Sequence, residues 1–212
     1  MRLAELKKQV GGLLMLNKNI LKFFEPRRDV LDANIKYWLK KGELVCLKKG
    51  LYVLKEKYAK EPDKDLYLEY LAGQLVQPSY LSLEYVLAKY QILSEPGHSL
   101  TSITTKTTRE MINAVGVFRY YSITKKLFTG YKVKYFADAP IAEAGKSKAL
   151  FDYLYLRFLK NEPVRMESIK DLRLNWENIS RQEFLKAYEY LKLIRSRKVG
   201  EVFDLIKNKY YS

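Results

Sequence analysis

The chain has 212 residues, with 39 Lys and Arg against 24 Asp and Glu and 48% hydrophobic residues. That length holds one large domain or two small ones, and the apolar share is ample for a packed core. No apolar run is long enough to cross a bilayer. The single cysteine, Cys46, leaves no partner for an internal disulfide, and a formal net charge of +15 favours polyanionic partners.

The N-terminal stretch is interrupted by Lys7, Lys8, Asn17 and Lys18 and has no small-residue cleavage site. It is therefore read as structure rather than a signal peptide, with a cytoplasmic location expected. Leu3, Leu6 and Val10 fall at helical spacing and predict a first helix over Arg2–Val10, ended by Gly11-Gly12. Asn17 is placed to cap a second short helix carrying Ile20, Leu21, Phe23 and Phe24. Glu25-Pro26-Arg27-Arg28 reads as a turn, because proline disfavours helix at the residue before it. Asp29 is then expected as the cap of a third helix, with Leu31, Ile35, Trp38 and Leu39 on one face and Ala33, Lys36, Tyr37 and Lys40 on the other. Gly42 suits the stop. Glu43–Leu47 and Leu51–Leu54, around Lys48-Lys49-Gly50, form a hairpin signal.

The polar, Pro62-containing stretch 56–64 reads as a linker, giving domains of 1–60 and 61–212. Helices are expected at 65–76 and 82–90, with a turn at Pro96-Gly97. The stretch 99–108 is rich in Thr and Ser. Together with 116–123 and 131–136 it suggests a small antiparallel sheet. Helices follow at 146–159, 166–172, from Ser180 with Glu183 at the capping-box spacing, and at 202–211. The expected fold is α+β: an N-terminal winged helix-turn-helix, then a mixed α/β C-terminal domain with a small antiparallel sheet and several helices.

The charge is unevenly spread. Residues 1–60 carry +9, residues 61–144 are neutral, and residues 145–212 carry +6. A neutral middle between basic ends argues for two separate basic surfaces rather than general stickiness. In a helix-turn-helix the second helix enters the major groove of a duplex. Here that helix would present Ala33, Lys36, Tyr37 and Lys40, with Arg27 and Arg28 at its start to read guanine or clamp phosphate. Lys48 and Lys49 at the hairpin tip suit phosphate or minor-groove contact. Plain solvation of each lysine is the bland alternative, and a winged helix used for protein docking is the alternative for the motif as a whole.

Little in the sequence speaks for an enzyme. His98 is the only histidine, so a histidine metal cluster or a Ser-His-Asp triad has no partners. Gly145-Lys146-Ser147 imitates the end of a phosphate-binding loop but lacks the glycine upstream, and reads as a helix start. The run Thr101–Thr108 reads as strand, its hydroxyls satisfying nearby backbone. Tyr67, Tyr70, Tyr80, Tyr85 and Tyr90 read as packing residues. Neither a catalytic residue, a metal nor a cofactor is expected.

Four segments resemble the AbiEi-type antitoxins and transcriptional regulators of bacterial abortive-infection, type IV toxin–antitoxin systems. LKKGELVCLKKGLYVL (39–54) is similar to that family's wing, and QPSYLSLEYVLAKYQIL (77–93) to its segment after the linker. LTSITTKTTREMINAVGVFRYYSI (100–123) is similar to its strand region, and AEAGKSKALFDYLYL (142–156) to the helix that follows. Ala144-Gly145 departs from the family's acidic residue before the lysine. The resemblance implies a winged helix that binds inverted repeats in its own promoter and represses the operon. It also implies a C-terminal domain that counters a nucleotidyltransferase-like toxin encoded alongside. A stand-alone regulator would resemble the family equally.

Overall fold

The computed structural model describes residues 3–93, 97, 99–159 and 162–211. The turn proline Pro96 and His98 lie outside the described residues. The chain splits into two compact units: Met1–Leu68 with Ile112–Gly116, and Glu69–Met111 with Val117–Ser212. The fold is mixed α/β, with a small antiparallel sheet and a larger mixed one.

The first unit runs α1 (Leu3–Val10), β1 (Leu16–Asn17), α2 (Lys18–Phe24), α3 (Arg28–Lys40), β2 (Leu44–Lys48), β3 (Leu51–Leu54) and α4 (Lys55–Lys60). Asn17 caps α2 by accepting from the Ile20 amide at 2.8 Å. The cap expected at Asp29 falls instead on Arg27, whose carbonyl accepts from the Leu31 amide at 2.9 Å. The helix starts that early because Arg27 holds the extended conformation a cap needs, and this places Asp29 in the first turn, where the helix dipole favours an acid. At the other end Gly42, at φ +67°, closes a Schellman motif. Its amide donates to Leu39 O at 3.0 Å and that of Glu43 to Trp38 O at 2.9 Å.

Helix α3 buries Leu31, Ile35 and Trp38 in a cluster with Leu6, Val10 and Leu21; Leu39 packs at its margin. Each fully buried side chain of this size contributes roughly 1.5–3 kcal/mol. The hairpin pairs Val45 with Val53 and Cys46 with Tyr52, with a bulge between Cys46 and Lys48 and Gly50 at φ +80° in the turn. The two-residue β1, too short to leave a periodic signal, joins the other side of β3, opposite Leu51 and Tyr52. The stretch expected as a linker contains α4. It buries no side chain, so it has no apolar stripe, and a Glu56–Lys60 pair at 2.8 Å and contact of Lys7 with Glu56 hold it.

Helix α5 (Lys64–Leu75) carries the chain into the second unit. There follow β4 (Ser79–Leu81), α6 (Leu83–Lys89), β5 (Ser99–Thr104), β6 (Arg109–Asn113), β7 (Gly116–Ser122), β8 (Tyr131–Phe136) and β9 (Ala139–Ala144). Helices α7 (Lys146–Leu159), α8 (Met166–Lys170), α9 (Arg181–Glu189) and α10 (Arg197–Tyr210) complete it. The sheet order is β6-β7-β5-β4-β9-β8. It is mixed, not antiparallel as expected: β5 pairs parallel with β7, and β4 with β9. The reason is β6, an exposed strand without an apolar signature, which lets β7 return beside β5 in the same direction. In β5 the threonines satisfy backbone, Thr101 Oγ1 donating to Ser82 O and Thr104 Oγ1 to Pro78 O, each at 2.7 Å. Ser180 and Glu183 form the expected capping box on α9. Among the described residues no helix is long and apolar enough to cross a membrane.

Candidate nucleic-acid interface

The face of α3 opposite its buried stripe carries Ala33, Lys36, Tyr37 and Lys40, all exposed. Tyr37 is 56% exposed, with Lys41 Nζ 5.9 Å from its ring centroid. The four project together because the offsets of three and four that align them also align Leu31, Ile35 and Trp38 inward. Arg28 is exposed at the first helical position, its Nε 4.0 Å from Asp32. Asp32 is held more closely by Lys18, whose hydrogen bond lowers its carboxyl pKa.

Arg27 is exposed too, but its guanidinium is engaged: Nε and Nη2 reach the two Glu25 oxygens at 3.1 and 3.4 Å. Those bonds hold the buried Glu25 carboxyl at about 2. Of the hairpin lysines, Lys49 is exposed in the turn and Lys48 is half-buried in β2. The turn is anchored on both sides. The Lys18 amide donates to Gly50 O at 2.9 Å, and Asn113 Nδ2 to Leu47 O at 3.1 Å. The structure thus brings Arg28, Ala33, Lys36, Tyr37 and Lys40 onto one helix, sets Arg27 against Glu25, and leaves Lys49 as the outward lysine of the turn. Phe23 on α2, 83% exposed, was read from sequence only as apolar weight.

The second unit holds a polar centre that sequence reading missed. Lys148 and Asp152, one turn apart on α7, form an ion pair at 1% and 0% exposure. Asp152 Oδ2 also accepts from the Tyr80 hydroxyl at 2.9 Å and from Ser82 Oγ at 2.8 Å. Burial pushes the Asp152 pKa up and that of Lys148 down, each opposed by the other's charge. The spacing of a lysine and an aspartate four apart amid ALF and YLYL was the available signal. A second cluster joins Glu69, Lys89, Lys134 and Glu143, with Lys89 bridging Glu69 at 2.8 Å and Glu143 at 2.5 Å. Among the described residues no group of three or more His, Cys, Asp and Glu stands together as a metal site would require.

No protein-family model matches the chain, and no curated protein sequence matches it.

Proposed function

We propose that the first unit is a winged helix-turn-helix and that the protein is a sequence-specific, double-stranded-DNA-binding repressor without enzymatic activity. The observation that carries this reading is the division of α3. Its apolar stripe is buried while Ala33, Lys36, Tyr37 and Lys40 face solvent together, with Arg28 at the leading end. A major groove about 12 Å wide admits such a helix. Arg28 and Ala33 are then nearest the base edges, Lys36 and Lys40 hold phosphates, and Lys49 reaches the backbone from the hairpin turn.

The resemblance of residues 39–54, 77–93, 100–123 and 142–156 to AbiEi-type regulators extends the proposal. In that reading the protein binds an inverted repeat in its own promoter and acts as the antitoxin to a nucleotidyltransferase-like toxin. Footprinting on the chain's own upstream region tests the first part. Arg28→Glu combined with Lys36→Glu is expected to abolish the gel shift, and unchanged binding removes α3 from the interface. Co-expression with the product of the adjacent reading frame tests the second: relief of its toxicity supports the antitoxin role, and unrelieved toxicity rejects it.

Phe23 favours a second reading, in which the first unit docks a protein. A phenylalanine 83% exposed on α2 is an anchor of the kind protein interfaces bury. Co-purification with a toxin-like protein in high salt, without DNA affinity, would decide for it.

A further inference from the structure

Two recesses in the second unit adjoin one another. The first, of about 1080 Å³, lies among β8, β9, the start of α7, and α9 with the turn that follows it. The second, of about 880 Å³, lies among the 124–126 turn, the end of α7 and residues 192–196. Lys192 and Leu193 line both, so the two meet at this turn and form one basic trough along the surface.

Their charge is one-sided. Lys132, Lys186 and Lys192 line the first recess, and Lys125, Lys126, Lys192 and Arg195 the second. All six cations are exposed, and none has an ion-pair partner among the described residues. Among the described residues no acid lines the second recess. Of the three in the first, Glu143 is held by Lys89 and Lys134 and Glu183 by Lys146, which leaves Glu189. Unpaired like charges gathered in one trough repel each other and raise the local concentration of an anion. Tyr90, 38% exposed in the lining of the first recess, offers an aromatic ring, and Lys146 Nζ stands 5.4 Å from its centroid.

We propose that this trough binds single-stranded nucleic acid. A cationic groove that follows a phosphodiester chain, with an aromatic ring for a base, is the general chemistry of single-strand binding. The first recess, about 1080 Å³, stands just above the span of about 300–1,000 Å³ usual for pockets that take a ligand. It suits an unpaired nucleotide, whereas a duplex has its bases stacked inside and meets only the rim. The site is independent of α3, so it holds whether or not the first unit reads a duplex.

The test is fluorescence anisotropy with the full chain and labelled single strands of about 12 nucleotides, RNA and DNA, within the range of roughly 4–16 that single-strand sites occupy. The expected result is binding of one or both single strands and, in the chain with Lys36 and Lys40 reversed to Glu, tighter binding of them than of an unrelated duplex of equal length. Lys126→Glu, Lys192→Glu and Arg195→Glu together are expected to weaken single-strand binding at least tenfold. They should also lower the salt slope by about two, since each neutralised phosphate contributes about 0.7. Tyr90→Ala is expected to cost about tenfold, and Lys126→Arg with Lys192→Arg to retain binding. Circular dichroism checks that each variant folds. RNA and DNA bound alike means that the backbone is read; a preference for RNA assigns the 2′-hydroxyl a part. Reversal of Lys36 and Lys40 tests the duplex proposal separately and leaves the single-strand signal. Full single-strand binding by the triple variant, equal binding of the duplex by the chain with Lys36 and Lys40 reversed, or no single-strand binding by the wild-type chain overturns the proposal.

Discussion

The Tyr80 hydroxyl donates to Asp152 Oδ2 at 2.9 Å across 72 positions of sequence, and Ser82 adds a second bond at 2.8 Å. One carboxylate therefore ties helix α7 to strand β4 and to the start of α6, while Lys148 balances its charge. Asp152→Ala leaves the Lys148 ammonium buried and unpaired, and is expected to destabilise the fold by about 3–5 kcal/mol. Adding Lys148→Met removes the orphaned charge and is expected to recover part of that loss. Urea unfolding of the three proteins checks both, and a single variant within about 1 kcal/mol of wild type would show that the pair contributes little.

Glu69 makes acid stability legible at a second place. Burial pushes its carboxyl up, but hydrogen bonds from Lys134, Lys89 and Tyr85 outweigh burial and leave it lowered. A carboxyl whose folded value lies below its unfolded value stabilises the fold above the unfolded value, about 4.3. That contribution is lost as pH falls through the folded value. Glu69→Gln is expected to be less stable than wild type at pH 7, and the gap is expected to narrow as the solution is acidified below about pH 4. A gap that stays constant with pH contradicts the assignment.

Residues whose signal is local were readable from sequence. Asn17 and Ser180 announce caps by type and spacing, Gly42 a stop, and Leu31, Ile35 and Trp38 a buried stripe, and all of these stand in the structure. What escaped has no local signal. Strands β1 and β4 are too short for a period, and β9 carries Pro140 and three alanines, poor strand formers. Helix α4 buries nothing. The Arg27–Glu25 bridge and the Tyr80–Ser82–Asp152 cluster depend on how side chains meet after folding. The same holds for the trough: Lys132 and Lys192 line one recess and Lys125 and Lys192 the next, and only the fold brings these separate segments together.

Gly42 at φ +67° ends α3 in the left-handed region, and an added Cβ would meet only Lys55 Nζ, at 3.6 Å. The strain of Gly42→Ala is thus conformational rather than steric crowding, about 1–2 kcal/mol for a residue with a Cβ. The expected outcome is a lower melting temperature with the folded-state circular dichroism unchanged. An unchanged melting temperature would mean that the turn relaxes to negative φ at no cost.

Glu25 and Arg27 set the last expectation, which rests on the duplex-binding proposal. The Glu25 carboxylate is buried and occupies both Nε and Nη2 of the guanidinium, so Arg27 meets a phosphate only by giving up that bridge. A carboxylate held at about 2 stays ionised throughout the physiological range, so the competition does not ease near neutral pH. Glu25→Gln keeps the shape, removes the negative charge and frees the arginine. Duplex affinity is expected to rise for operator and unrelated sequence alike, because a phosphate contact carries no sequence information. The slope of log affinity against log salt is expected to steepen by about one. A gain confined to the operator would mean instead that Arg27 reads a base, and no gain would mean that Arg27 stays off the duplex.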